Sequence, residues 1–225
     1  MSDARPLIIV GDGQFAEIAH EYFTHDSDYD VVAFSVEREH LNREELRGLP
    51  VVPLEDLEHH YDPAGHHVHA ALVYTSVNRL RRRLVATAKA KGFPLASYVS
   101  SRAFVWPNAK LGEHCFVFED NTVQPFVSIG DNVVLWSGNH IGHHSHIGDN
   151  VFVSSQVVIS GGCDIGDNCF LGVNATISNG VTVGADNWIG PQVVVMSDTE
   201  PDSTWRAPKS ERRNRPTLQL FRVRD

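Results

Sequence analysis

The 225-residue sequence has little positive charge, few cysteines and no long apolar run. Nineteen Lys/Arg stand against 28 Asp/Glu, a formal net charge of −9. A general nucleic-acid binder needs a basic surface, so that class of partner is excluded. No apolar stretch approaches the roughly 18 to 20 residues that span a bilayer. The opening MSDARPLIIVGDGQ holds too short an apolar stretch for a secretory signal. The expectation is a cytoplasmic protein with no membrane insertion. The three cysteines show no paired spacing that would make a structural zinc site. What is present is ordinary: 42% hydrophobic and 21% charged residues, which excludes wholesale disorder.

The charge is unevenly spread. Residues 205–225 hold seven Lys/Arg (Arg206, Lys209, Arg212, Arg213, Arg215, Arg222, Arg224) against Glu211 and Asp225. A basic tail on an acidic body can meet a phosphorylated ligand, an acidic neighbouring subunit, or only solvent.

A repeat decides the fold. From Val99 the chain divides without a gap into 16 hexads, VSSRAF to IGPQVV, ending at Val194. Each begins with Val, Ile or Leu and usually has a small residue at position five. A weaker period of 18 is superimposed: LGEH, IGDN, IGDN, IGDN and VGAD start at 111, 129, 147, 165 and 183. Three hexads per period predict a coil with three flat sides, whose successive turns pair as parallel strands about 4.8 Å apart. Positions one and five face inward, and Gly, Asn and Asp serve the turns, where φ can be positive. Cys115, Cys163 and Cys169 all fall at position five and are expected buried and free. Cys115 and Cys169 lie three coils apart, roughly 14 Å at the strand spacing, beyond the about 7 Å a disulfide allows. Asn121 and Asn139, also at position five and one coil apart, are expected to form a side-chain hydrogen-bonded ladder.

The N-terminal half reads as a small α/β domain. Leu7 to Val10 is a strand, followed by Gly11-Asp12-Gly13-Gln14-Phe15-Ala16 and an amphipathic helix to His25. Glycines there let the backbone approach a phosphate, and a helix N-terminus favours negative charge. Further strands are expected at Val31 to Phe34, Val51-Val52 and Val68 to Tyr74, with helices at Leu54 to Tyr61 and Asn78 to Lys91. Glu37 is the nearest acidic candidate for reading a ribose. A tight strand-to-helix turn without a ligand is the competing reading.

The stretches IIVGDGQFAEIA, ALVYTSVNRLRRRL, the hexads and IGHHSHIGDN together resemble the bacterial nucleotide-sugar acyltransferases, sialic-acid O-acetyltransferase-like proteins and 4-amino-sugar N-acetyltransferases among them. The resemblance implies a Rossmann-like nucleotide-sugar-binding domain over 1–98, a left-handed parallel β-helix acyltransferase domain over 99–198 and a basic extension over 199–225. It implies acetyl-CoA as co-substrate with no metal, a nucleotide-linked sugar as substrate, a homotrimer with sites between subunits, and a role in surface polysaccharide synthesis. Carried over residue by residue, it makes His143 the general base, with His144 beside it and Gly161 as oxyanion donor. Gly11, Gly13, Gln14, Phe15 and Glu37 would hold the acceptor; Gly161, Gly162 and Lys209 would hold CoA. Three departures stand out. Ser35-Val36-Glu37 replaces an acidic pair, His144 replaces a Glu, and Trp205-Arg206-Ala207-Pro208-Lys209 replaces Gly-x-Pro-Ala-Lys.

The chemistry suits the residue types. Histidine titrates near neutrality and can take the proton of an attacking amine or hydroxyl, and a backbone N–H can hold the oxyanion. Gly161 follows His143 by 18 residues, one coil away. His140 and His146 flank the pair, and Asp164 stacks beneath His146 as a possible partner. A second group, His59, His60, His66, His67 and His69, reads as a polar loop entering a strand. Trp136 and Trp188 are candidates for subunit contact or ligand stacking. O-acetylation, a γ-carbonic-anhydrase-like metal enzyme using the His140 to His146 cluster, and a non-catalytic β-helix module are the alternatives.

Overall fold

The computed structural model describes residues 4–212 and 214–223. Arg213 and Arg224 of the basic tail lie outside the described residues. The first layer is an α/β sheet. Strand β1 (Arg5–Val10) leads through the glycine turn into α1 (Gln14–His25), then β2 (Tyr29–Val36). A short β3 (Glu45–Leu46) turns antiparallel onto β4 (Leu49–Pro53). Next come α2 (Leu57–His60), β5 (His67–Ala70) and α3 (Arg79–Ala90). The parallel strands stand in the order β4-β2-β1-β5. Their side chains are buried on both faces, Leu7 and Ile9 in one core and Ile8 and Val10 in the other, as a helix-covered parallel sheet requires.

Strand β5 ends at Ala70, short of the expected Tyr74. Val73 and Tyr74 are 39% and 46% exposed, so the apolar run was a strand followed by the wall of a cavity.

From Tyr98 the chain winds as a three-sided parallel prism of two-residue strands. Each residue pairs with the one 18 positions on, as in Phe116↔Val134 and His140↔Val158. Positions one and five fill the interior. From His114 to Gln192 every position-four residue has φ between 56° and 75°; Gly and Asn take this left-handed turn readily, and His144 and Phe126 take it at a cost. The coils continue past residue 198, where Thr204–Trp205 pairs with Trp188 and Ile189. The short α4 (Thr217–Leu220) follows in an exposed tail.

Cys115, Cys163 and Cys169 are buried and free. The expected Asn ladder forms through the backbone instead. Asn121 Nδ2 donates to the Phe118 and Trp136 carbonyls, and Asn139 Oδ1 accepts the Val157 N–H. Turn carbonyls inside the prism need a donor, and Asn at position five supplies it.

The two parts meet on one prism side. Position six points outward there and is apolar: Tyr98, Phe116, Val134, Phe152, Phe170, Trp188. Phe15 and Phe23 of α1 pack on Tyr98, Phe116 and Phe118, with Trp136 at the rim. Trp136 and Trp188 therefore belong to this seam. Each buried aromatic contributes about 1.5–3 kcal/mol of transfer free energy.

Candidate functional site

His143 sits at a prism corner, at position three of its hexad. Its N–H donates to Gln124 Oε1 at 2.9 Å, and its carbonyl accepts the Gly162 N–H at 2.8 Å. Both bonds fix the main chain and leave the ring free. The imidazole lies over Gly161 in the next coil: a Cβ on residue 161 would stand 2.7 Å from His143 Cε1 and 2.8 Å from Nε2. Only glycine admits the ring there. The Gly161 N–H has no acceptor among the described residues, whereas its carbonyl accepts the Gly180 N–H at 3.0 Å. The His143 ring thus lies against a glycine whose backbone N–H has no acceptor among the described residues. Ser145 Oγ braces that turn, donating to Ser160 O and accepting the Cys163 N–H.

His144 Nδ1 lies 3.2 Å from His143 Nδ1, and its ring stacks on Phe126 at 4.6 Å. Two imidazoles joined through Nδ1 share one proton, so one ring must donate. His146 turns elsewhere. The expected His146–Asp164 pair is replaced by a His146 Nδ1···Ser128 Oγ contact of 2.9 Å. Asp164 is in register beside His146, but the Ser128 hydroxyl on the preceding coil takes the ring. Among the described residues, the helix histidines do not bring three ligand atoms together; the group that does is Glu37, Glu39 and His40. Of the second histidine group, His69 is buried in the seam, His59 and His60 are exposed, and His66 and His67 are half-buried.

A cavity of about 320 Å³ opens at the carboxyl ends of β1, β2 and β5, lined by Gly11, Gly13, Gln14, Phe15, Glu37 and Leu72 among others. This is where ligands lie in open parallel sheets. Gly11 (φ 118°) leaves only 3.0 Å between a would-be Cβ and Ala71 O, so glycine is required. Phe15 lines the cavity but gives most of its ring to the seam. Glu37 binds Arg83 through both oxygens at 2.5 and 2.8 Å; the Arg83 hydrogen bonds hold its carboxyl below the usual range.

A second cavity of about 320 Å³ lies against the prism, lined by Val73, Tyr74, Trp136, Phe152, Phe170 and Pro191 among others. Val73 is common to both cavities. Sequence reasoning passed over Tyr74, Phe152 and Phe170, although aromatic position-six residues recurring every 18 were a signal that this side is covered. Lys209 is exposed in the tail, and neither a hydrogen bond nor an ion pair among the described residues ties it to the His143 corner.

Residues 144–179 match the family described as bacterial transferase hexapeptide (six repeats). In fold the chain is similar to the acetyltransferase domain of PglB from Neisseria gonorrhoeae, at 24% identity over 89% of this chain and 95% of that one, TM-score 0.80. PerB from Caulobacter crescentus, solved with CoA and GDP-perosamine, is 26% identical over 88% of this chain and 92% of that one, TM-score 0.79. The chain is thus similar over most of its length to sugar acetyltransferases of the hexapeptide kind. A comparison with curated proteins returns no sequence match.

Proposed function

We propose that the protein transfers the acetyl group of acetyl-CoA to the amino group of a nucleotide-linked amino sugar. The observation that carries this reading is the His143 imidazole packed against Gly161, whose N–H has no acceptor among the described residues. PerB, similar in fold and sequence, is described with CoA and a nucleotide-linked amino sugar, which supports the same pair of substrates here.

The division of labour follows the residue ranges. The residues before 99 form a Rossmann-like acceptor domain, the coils from 99 through Thr204–Trp205 the acyltransferase β-helix, and the residues beyond them a basic extension. The acceptor's nucleotide occupies the first cavity, with Gly11, Gly13 and Gln14 approaching the diphosphate and Glu37 accepting from ribose hydroxyls. Its sugar extends past Val73 along the second cavity. His143 Nδ1–H donates to His144, which leaves the Nε2 lone pair toward the acceptor. The amine attacks the thioester carbonyl carbon and Nε2 takes its proton. The Gly161 N–H binds the oxyanion. Collapse expels the CoA thiolate, which recovers the proton from the imidazolium. Gly162 and Lys209 serve the CoA side. A homotrimer in the cytoplasm brings the acceptor domain of one subunit to the His143 corner of the next, and the product feeds surface polysaccharide synthesis.

The experiment is acetyl transfer from acetyl-CoA to 4-amino sugars linked to GDP, UDP or dTDP, with intact protein and His143→Ala. The expected result is transfer to one acceptor and a loss of about 10²–10⁴-fold in the variant. Unchanged transfer by His143→Ala removes the assignment. O-acetylation takes its place if only hydroxyl acceptors react.

A further inference from the structure

Arg81 of α3 is fully buried in the seam, and its hydrogen-bond partners are all neutral. Nε donates to Asn132 Oδ1 at 3.0 Å and Nη2 to Asn132 O at 3.0 Å, both on the prism. Nη1 donates to Leu72 O at 3.3 Å. The guanidinium lies 5.8 Å from the centre of the Phe152 ring. Burial draws it down to about 9, still charged at neutral pH. A buried cation without a carboxylate is costly, and a purely packing role would be met as well by Leu or Met.

Its contacts fall on the walls of both cavities. Leu72 lines the first and Phe152 the second. Residues 72–78 run between them and are strained: Ser76, Val77 and Asn78 have φ of 52°, 48° and 65°, a poor conformation for β-branched valine. The segment holds because its ends are tied to the prism. Ala70 N–H donates to His114 Nε2 at 2.8 Å, and Asn78 Nδ2 donates to Cys169 O at 3.1 Å. Arg81 ties Leu72, a wall residue of the first cavity, to Asn132 of the prism.

Resting on the acceptor reading above, we propose that Arg81 is a positioning residue for the acceptor. It holds residues 72–78 and Phe152 in the arrangement that lets one nucleotide-linked sugar span both cavities. It touches neither the reacting atoms nor the His143 corner.

The test uses the intact protein with Arg81→Met, which keeps the length and removes the donors, and Arg81→Lys, which keeps the charge. Calorimetry with GDP, UDP, dTDP and acetyl-CoA reads each side separately, and steady-state kinetics reads KM for the acceptor that reacts. For Arg81→Met the acceptor KM rises tenfold or more, while the acetyl-CoA Kd stays within twofold. Arg81→Lys falls between the two. A folded Arg81→Met with unchanged acceptor KM and nucleotide Kd overturns the proposal and leaves the acceptor reading standing. If no nucleoside diphosphate binds the unmodified protein, the acceptor reading fails and the proposal with it. Should Arg81→Met fail to fold, Asn132→Ala removes its side-chain acceptor and is held to the same criterion.

Discussion

Acid should weaken the seam between sheet and prism before it weakens anything else. His69 and His114 stack there at 4.3 Å with their rings 12° apart, both buried and beside Arg81. His69 Nδ1 lies 2.9 Å from Ala96 O and so carries its hydrogen, while Nε2 has no partner among the described residues. Burial pushes His69 down to about 4 from 6.5 and His114 well below its ordinary value. The folded state therefore resists protonation at a pH where the unfolded chain accepts it. Stability is whole above about pH 6.5 and is lost as pH falls toward 4. For His69 the fall amounts to about 3 kcal/mol, and His114 adds in the same direction. In a chain of this size that lowers Tm by roughly 6–12 °C. Carboxylates act in a lower window. Burial alone would raise Asp26, but hydrogen bonds from Ser101, Tyr98 and Ser100 outweigh it and hold it at about 2, so its contribution is lost only below about pH 4. The assay is thermal melting from pH 7.5 to 4.5, for the intact protein and for His69→Phe. A flat Tm across that window, or a slope that survives His69→Phe unchanged, refutes the reasoning.

Gly161→Ala should cut kcat by 100-fold or more with acceptor KM little changed, because its Cβ would stand 2.7 Å from the His143 ring and push it aside; near-normal kcat would mean that the ring acts from elsewhere. Thiol titration should find no reactive cysteine in the native protein and three after denaturation, since burial raises Cys115 to about 11 and Cys169 to about 12. Phe116→Ala, at the centre of the seam, should cost about 3–5 kcal/mol by chemical denaturation. Arg83→Met frees the Glu37 carboxylate and should raise acceptor KM several-fold without affecting acetyl-CoA binding.

The prism was legible because its rule is local. Apolar position one, small position five and a turn former at position four recur often enough to fix the coil, its three sides and the 18-residue register. The Gly11 turn was legible for a similar reason, since only glycine fits against Ala71 O. The seam was not. Arg81 sits in a run of basic residues, RLRRRL, that reads as a solvated helix face. Its burial depends on Asn132, 51 positions away. His69 likewise reads as one of a loop's polar histidines, and only the fold stacks His114 on it. Such pairings join two parts of the chain with no shared period. The end of β5 was misread because Val73 and Tyr74 continue an apolar run, yet their side chains line cavities.

The three prism corners differ in a way that separates scaffold from site. At one corner the position-three residues are Glu113, Asp131, Asp149 and Asp167. Each Asp accepts the N–H of the residue one coil before, at 2.8 Å. The preceding glycines are required because the next coil's carboxylate stands where a Cβ would go. Repetition there is the signature of a hydrogen-bonded ladder. The corner holding the candidate site carries Pro107, Pro125, His143, Gly161 and Asn179 in the same column, and after the two prolines no residue repeats. The third corner turns from Ser137 and Ser155 to Val173 and Pro191, and its last three members border the second cavity. A repeating fold keeps its period where neighbouring coils need identical contacts. It departs from the period where a side chain must face something other than the next coil. The step from Pro125 to His143 is such a departure, at the corner where an imidazole lies against a glycine whose N–H has no acceptor among the described residues.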